Sequence, residues 1–346
     1  MIKSVLIANR GEIAIRIART ARRMGIKTYV VRTAKEPEAV YLSAADAVIN
    51  FPETDGNIPE FLDIDRLVGL AREYKIDSLH PGYGYLSENA ELAERCRDNG
   101  IVFIGPSPEV IRLMGDKVAA KGIAAQSGVP MLGASQGAVH TLDEARKIAK
   151  RLGYPVIIKA VSGGGGRGMR IVHHQDELEQ LYKIATAEAQ VAFNDPSVFI
   201  EKYLENPKHI EFQIVADNYG NVVHLGEREC SIQRKHQKLM EEAPSPALDE
   251  RLRKKMAAAA VSLAKQAGYQ SLGTVEFLLD HQKHFYFMEM NTRIQVEHPV
   301  TEEITGIDLV ELQFNIAAGR KLPLRQSQIH LNGWSIAVSY THLRAH

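Results

Sequence analysis

Residues 289–297 read Glu-Met-Asn-Thr-Arg-Ile-Gln-Val-Glu, a polar group at every second position. Side chains alternate faces along an extended chain, so Glu289, Asn291, Arg293, Gln295 and Glu297 would share one side. Met290, Thr292, Ile294 and Val296 would occupy the other. Acid, amide, guanidinium, amide and acid in a row suit a metal ion and a small anion. The competing reading is an exposed edge strand with incidental charges. Residues two apart on a strand are roughly 6.5–7 Å apart, so Glu289 and Asn291 reach one metal–phosphate cluster. Glu297 would lie roughly 26 Å from Glu289 on a straight chain. The expectation is therefore a bend after Asn291 and two neighbouring subsites, with metal and nucleotide at the first and a small substrate at the second.

Other segments carry matching chemistry. Ser162-Gly-Gly-Gly-Gly-Arg-Gly-Met169 lies between the apolar run Val156-Ile-Ile-Lys-Ala160 and Met169-Arg-Ile-Val-His173. Glycine lets a backbone approach a ligand and aim N–H groups at phosphate oxygens. Gly163, Gly165 and Gly168 fit the dinucleotide spacing, but that motif runs from strand into helix, whereas here a strand follows. A hairpin over a triphosphate fits, with a bare surface hairpin as the alternative. Lys159, closing the preceding strand, suits a phosphate by charge and reach; Lys117 is a weaker candidate. Glu201-Lys-Tyr-Leu204 precedes Asn206-Pro207, and a short linker of this kind between lobes suits an adenine held by its backbone. His209 and Glu211 share a strand face. Gln233, His236 and Lys238 are placed to line a cleft floor, against the alternative of a solvated basic turn. Glu276 interrupts an apolar strand, and a buried carboxylate is costly unless compensated. A cation shared with Glu289 and Asn291 would compensate it; such an oxygen-only set favours Mg2+ or Mn2+ over Zn2+.

Composition narrows the classes. Lys plus Arg and Asp plus Glu both number 42, giving zero net charge, which speaks against a nucleic-acid binder driven by bulk charge. No apolar run reaches membrane-spanning length, and no signal peptide is visible. Two cysteines, Cys96 and Cys230, are too few for a disulfide framework or thiolate zinc site. A cytoplasmic enzyme is expected. Residues 1–114 alternate strand and helix, including helices over Glu12–Met24 and Glu88–Arg97 and strands over Val5–Ala8 and Lys27–Val31. That rhythm predicts a parallel sheet covered on both faces. In residues 115–331 the strands are Pro155–Ala160, Met169–His173, Val198–Tyr203, Ile210–Asp217, Val222–Glu229, Thr274–Asp280 and His284–Asn291. Helices over Glu250–Ala267 and Asp308–Ala318 accompany them.

Ala8-Asn-Arg-Gly-Glu-Ile-Ala14, His80-Pro-Gly-Tyr-Gly-Tyr-Leu-Ser-Glu88, the glycine loop, Gln233-Arg-Lys-His-Gln-Lys238 and Glu289 through Pro299 together resemble the biotin carboxylase family, over residues 1 to about 337. The resemblance implies an α/β and α+β architecture: a Rossmann-like N-terminal domain (1–114), then an ATP-grasp domain (115–331) with a glycine-rich lid (about 132–204). It implies that ATP and bicarbonate give carboxyphosphate and ADP, and that the carboxyl group passes to N1 of biotin on a carrier. By motif, Lys117, Lys159, Gly163, Gly164, Gly165, Gly166, Gly168, Glu201, Lys202, Leu204, His209, Gln233, His236 and Glu276 match nucleotide contacts. Glu276, Glu289 and Asn291 match ligands for two Mg2+ or Mn2+ ions. Lys238, Arg293, Gln295 and Val296 match the bicarbonate site, Glu297 its base, Arg293 also the group beside the biotin enolate, and Tyr83 a residue near biotin. The implied partners are a biotin carboxyl carrier protein or domain, a carboxyltransferase and, at full length, a second copy of the chain; neither nucleic acid nor membrane is implied. The rivals are a carbamoyl-phosphate synthetase-like ligase that does not use biotin and an ATP-binding regulatory domain.

The resemblance breaks after Asn332-Gly-Trp334, where the family continues into a strand bearing another arginine. Residues 332–337 then read as the start of a C-terminal domain and 338–346 as a non-native tail. Ser339–His346 back-translates as tct tat aca cat ctc cga gcc cac, similar to a transposon-end sequencing adapter. A chain ending there is expected to be inactive.

Overall fold

The structure, a computed structural model, describes residues 2–51, 59–135, 137–161, 169–234 and 237–338. Gly163, Gly164, Gly165, Gly166 and Gly168 of the glycine loop, His236, and the tail from 339 lie outside the described residues. Among the described residues the strands form three sheets.

The N-terminal unit contains β1 (Ser4–Ile7), α1 (Gly11–Arg23), β2 (Lys27–Arg32), α2 (Val40–Ser43), β3 (Ala47–Asn50), α3 (Ile64–Glu73), β4 (Ser78–His80), α4 (Ala90–Asp98) and β5 (Val102–Phe103). Its strands are parallel in the order β3-β2-β1-β4-β5, the expected Rossmann-like arrangement. Near-continuous apolar strands such as Val5-Leu-Ile7, fully buried, suit a sheet covered on both faces. Helix α4 starts later than the sequence suggests. Asn89 is its N-cap, accepting from the Leu92 N–H at 2.8 Å, so Glu88 lies outside the helix.

The chain continues through α5 (Pro108–Gly115), α6 (Lys117–Gln126) and α7 (Leu142–Leu152). Next come β6 (Val156–Ala160), β7 (Met169–Val172), α8 (Leu178–Phe193) and β8 (Val198–Lys202). These three strands make a small antiparallel sheet ordered β7-β6-β8. The large antiparallel sheet comprises β9 (Lys208–Ala216), β10 (Val222–Arg234), β11 (Gln237–Ala243), β12 (Ser271–Leu279), β13 (Phe285–Asn291) and β14 (Ser335–Val338), ordered β13-β12-β9-β10-β11-β14. Helix α9 (Glu250–Gln266) packs on β9 and β10, while α10 (His298–Thr305) and α11 (Leu309–Ala317) complete the body.

Two-residue periodicity divides the large sheet between core and site. Ile210, Phe212 and Ile214 of β9 and Val275, Phe277 and Leu279 of β12 enter a core with Met256, Ala260 and Leu263 of α9. The alternate positions, His209, Glu211, Gln213, Thr274 and Glu276, are buried polar groups on the opposite face. Val5, Ile13 and Ile17 share a second apolar cluster with Val215, Leu225, Leu272 and Leu309, tying the N-terminal unit to the large sheet. Arg16 adds ion pairs to Glu302 at 2.7 Å and Asp308 at 2.9 Å.

One expectation needs correction and another is borne out. Strand β10 does not stop at Glu229 but runs to Arg234 and pairs with β11, so Gln233 and Lys238 lie on paired strands rather than in the alternative solvated turn. The 289–297 row bends after Asn291, as expected. Strand β13 ends at Asn291, and Glu297 becomes the N-cap residue of α10. Pro299, in the first turn of that helix, fits because the first N–H groups there need no intrahelical acceptor.

Candidate functional site

Strand register builds the centre of the site. Arg228 on β10 stands opposite Glu211 on β9, Glu211 opposite Glu276 on β12, and Glu276 opposite Glu289 on β13. Four strands thus present a guanidinium and three carboxylates in one transverse row. Like charges directly opposite one another destabilise a sheet. Lys238, reaching in from β11, offsets this: its Nζ donates to Glu211 at 2.5 Å, Glu276 at 2.9 Å and Glu297 at 2.8 Å. One ammonium therefore joins β9, β12 and the start of α10. The fully buried Arg228 donates to Glu211 at 2.5 Å, Gln213 at 2.8 Å and Thr301 at 2.9 Å.

Charge follows this geometry. Burial alone would raise Glu276, but Lys238 and His209 outweigh it and hold the carboxyl well below its usual range. Glu211 is likewise lowered, Arg228 and Lys238 overcoming its burial. Burial pulls Lys238 and His209 down, yet the carboxylates win: Lys238 is pushed well above its usual value and His209 is raised, chiefly by Glu276. His209 Nε2 lies 2.8 Å from Glu276, and its Nδ1 2.8 Å from Gln233 Nε2. The positive groups do not cover every acid. Glu289 is exposed near the end of β13, and the protein packed around it, followed by the Glu276 and Glu88 charges, raises its carboxyl. Glu241 on β11, 2% exposed, is pushed up to about 7 by burial and then by Glu297 and Glu211.

The Glu276, Glu289 and Asn291 oxygens are hard donors on adjacent strands, with a surplus of negative charge at Glu289, so this corner fits Mg2+ or Mn2+. Asn291 Nδ2 donates to Glu276 at 2.7 Å, leaving its oxygen toward Arg293 NH2 at 3.2 Å.

Past Asn291 the chain bends, and the second half of the motif folds back on the first. Arg293 donates to Gln295 Oε1 at 2.8 Å, and Gln295 Nε2 donates to Glu276 at 3.2 Å. Glu297 thereby comes to the same ammonium as Glu276, rather than lying a strand's length from Glu289. Val296 is exposed. Arg293 Nε also donates to Glu88 at 3.0 Å, a contact from the N-terminal unit. Asn9 Nδ2 donates to Pro81 O at 2.8 Å and Tyr83 O at 2.7 Å, pinning the loop that leads to Glu88. Gly82 permits this: its φ is +64°, and a Cβ there would lie 2.8 Å from Asn9 Nδ2. Tyr83 itself packs, half-buried, on the interdomain apolar cluster.

The small sheet holds a second charge group. Lys159 on β6 donates to Glu201 on β8 at 2.6 Å, and Lys121 of α6 pairs with the other Glu201 oxygen. Burial would raise Glu201, but the two lysines bring it down to about 2. Lys202 points elsewhere: its ammonium caps the Gly153 and Tyr154 carbonyls at 3.0 and 2.9 Å, and its backbone N–H donates to Gly133 O at 2.8 Å. Leu204 is half-buried beyond β8, and Lys117 is exposed at the start of α6. Sequence reading missed Lys121, Arg228, Glu241 and the interdomain role of Glu88. An isolated lysine on an alanine-rich helix gives no signal. The Glu227-Arg-Glu229 alternation in β10 was the available clue to Arg228.

Comparison with known proteins shows what the chain as a whole is similar to. Residues 1–111 match the family model for the biotin carboxylase N-terminal domain, and 116–325 that for the ATP-binding domain of the carbamoyl-phosphate synthase L chain. The biotin carboxylase of Nostoc sp. is 54% identical over 332 residues, covering 96% of this chain and 74% of that protein. The Campylobacter jejuni biotin carboxylase in a β-γ-ATP complex superposes with a TM-score of 0.92 at 48% identity, over 97% of this chain and 75% of that one. The biotin carboxylase domain dimer of Hydrogenobacter thermophilus 2-oxoglutarate carboxylase, crystallised with MgADP, ADP and bicarbonate, gives 0.90 at 48% identity, over 97% and 74%.

Proposed function

The chain belongs to the biotin carboxylase family, and from that premise we propose that it uses ATP and bicarbonate to carboxylate biotin held on a carrier, the first half-reaction of a biotin-dependent carboxylase. The observation that carries the reading is Lys238. It contacts Glu276, on the metal side of the cleft, and Glu297, on the side assigned to bicarbonate.

Phosphoryl transfer to an anion requires charge neutralisation and positioning more than covalent chemistry. Lys159 offers an ammonium to the nucleotide phosphates, exchanging Glu201 for them. Lys117, the glycine loop 163–168, His236, and the backbone around Glu201, Lys202 and Leu204 complete the proposed nucleotide site, with His209 and Gln233 along its floor. A divalent cation on Glu276, Glu289 and Asn291 would offset phosphate charge. Lys238, Arg293, Gln295 and the Val296 backbone hold bicarbonate. Glu297 takes the bicarbonate proton; the freed oxygen attacks the γ-phosphorus, and ADP leaves as carboxyphosphate forms. The carboxyl carbon then passes to biotin N1 beside Tyr83: its bond to the phosphate oxygen breaks, the departing phosphate takes the N1 proton, and Arg293 stabilises the biotin oxygen that gains charge.

We take residues 1–114 as the N-terminal domain and 115–331 as the ATP-grasp domain with its lid over about 132–204. The proposed partners are a biotin carboxyl carrier protein or domain, a carboxyltransferase and a second copy of the chain. We place the enzyme in the cytoplasm; no helix among the described residues is long and apolar enough to cross a membrane.

The test is ADP release by the full-length gene product with Mg-ATP and bicarbonate, with and without free biotin. Biotin-stimulated release together with acid-labile label from 14C-bicarbonate supports the proposal. ADP release indifferent to biotin would assign the chain to a carboxyphosphate-forming ligase of another kind.

A further inference from the structure

We propose that Glu88 is a positioning residue: its carboxylate aims the Arg293 guanidinium at bicarbonate and ties that setting to the loop carrying Tyr83. The inference rests on the role given to Arg293 above and adds the group that holds it.

Glu88 is the sole residue of the 81–89 loop recorded as bonding the 291–297 turn among the described residues, and it does so through both oxygens. Oε1 accepts from the Thr292 N–H at 3.0 Å and from Thr292 Oγ1 at 3.4 Å. Oε2 accepts from Arg293 Nε at 3.0 Å. The remaining guanidinium nitrogens are directed to Ile294 O at 3.2 Å, Gln295 Oε1 at 2.8 Å and Asn291 Oδ1 at 3.2 Å. A guanidinium is a planar fork, so fixing Nε fixes the plane and the directions of the other two nitrogens. Without Glu88, NH1 and NH2 keep neutral oxygens of their own turn as acceptors, but the one charged acceptor, on the Nε edge of the fork, is lost.

The bond also crosses between units. Glu88 comes from the N-terminal unit, just before the Asn89 cap of α4. The same loop is anchored by Asn9 at Pro81 and Tyr83. Biotin arriving at Tyr83 therefore meets a loop whose far end grips the arginine. The Glu88 side chain is 42% accessible while that of Arg293 is 20% accessible. An ion pair so placed adds little to stability. Its value is directional, and its loss should affect the reaction more than the fold.

Glu88→Gln separates the two functions. The amide oxygen can still accept from the Thr292 N–H, but the amide nitrogen cannot accept from Arg293 Nε. In the full-length gene product, Glu88→Gln is expected to raise the KM for bicarbonate and lower biotin-carboxylation kcat, tenfold or more in kcat/KM. Mg-ATP affinity should stay within twofold and the melting temperature within a few degrees. In a double-mutant cycle with Arg293→Lys the losses should be strongly non-additive, because the second change acts on the same contact. A structural role would lower the melting temperature and would not single out bicarbonate. Glu88→Gln with kcat and bicarbonate KM within twofold of wild type, or fully additive losses, would overturn the inference. If Arg293→Lys is itself without effect, the assignment of Arg293 fails first.

Discussion

Replacing Lys238 with methionine should cost about 3 kcal/mol of stability, the low end of the roughly 3–5 kcal/mol seen when a buried ion pair loses one partner. Methionine keeps most of the aliphatic volume, so the loss is one of charge. Three charge-assisted contacts disappear, at 2.5, 2.9 and 2.8 Å. Two of the stranded carboxylates retain help: Glu211 keeps Arg228, and Glu276 keeps His209 and Asn291. Glu297, 5% exposed, loses its one ion pair among the described residues and keeps only the more distant attraction of Arg228. Scanning calorimetry at pH 7.5 should show the transition lowered by roughly 6–12 °C, at about 2–4 °C per kcal/mol for a unit of this size. The sign with pH follows from linkage. Glu211 and Glu276 have folded values below their ordinary ones, so their contribution is present above about pH 4.5 and fades as pH falls through the folded values. The difference between wild type and variant should therefore shrink below pH 4.5. A shift under roughly 2 °C at pH 7.5, or one independent of pH, would refute the view that Lys238 neutralises the carboxylate row.

Lys159→Gln should weaken Mg-ATP binding by about 1.5–3 kcal/mol, the worth of a hydrogen bond to a charged group; isothermal titration of the folded variant measures it, and unchanged affinity removes Lys159 from the site. Glu297→Gln should abolish biotin carboxylation with Mg-ATP binding largely intact, whereas carboxylation within a few-fold of wild type would end its role as base. Glu241→Gln should stabilise the protein at pH 8 by about 1–3 kcal/mol and leave it unchanged near pH 4, because a carboxyl raised to about 7 disfavours the fold only as it ionises above its ordinary value; urea unfolding at the two pH values decides this. His80 and His298, buried and lowered by desolvation to about 3 and about 4, contribute stability present above pH 6.5 and lost as pH falls toward the folded values. His298→Gln should accordingly flatten the wild-type decline between pH 6.5 and 4, and an unaltered slope would count against a neutral buried imidazole.

The motif 289–297 announced its chemistry through residue type, and Glu276 did so by interrupting an apolar strand. Their convergence was harder to read. Period-two alternation says which residues share a face of one strand, but not which strands neighbour one another. The row Arg228–Glu211–Glu276–Glu289 exists because β9 pairs with both β10 and β12, a fact carried by long-range pairing rather than local pattern. The bend after Asn291 was foreseen, yet Pro299 opening a helix was not used to place Glu297 at an N-cap. The N-terminal sheet was legible because buried parallel strands read as continuous apolar runs. The length of β10 past Glu229 was not, because the dense polar run Glu229-Cys-Ser-Ile-Gln-Arg234 lacks the apolar pattern of a strand. Glu88 was read as part of α4, although Asn89, a better cap, stood beside it.

The central claim is that bicarbonate, held at Lys238, Arg293 and Glu297, attacks the γ-phosphorus of ATP. Bicarbonate labelled with 18O tests it directly. In the full-length gene product turning over with biotin, one labelled oxygen per carboxylation should appear in inorganic phosphate, and Glu297→Gln should abolish that transfer together with carboxybiotin. Carboxybiotin formed with no 18O in the phosphate would contradict the account.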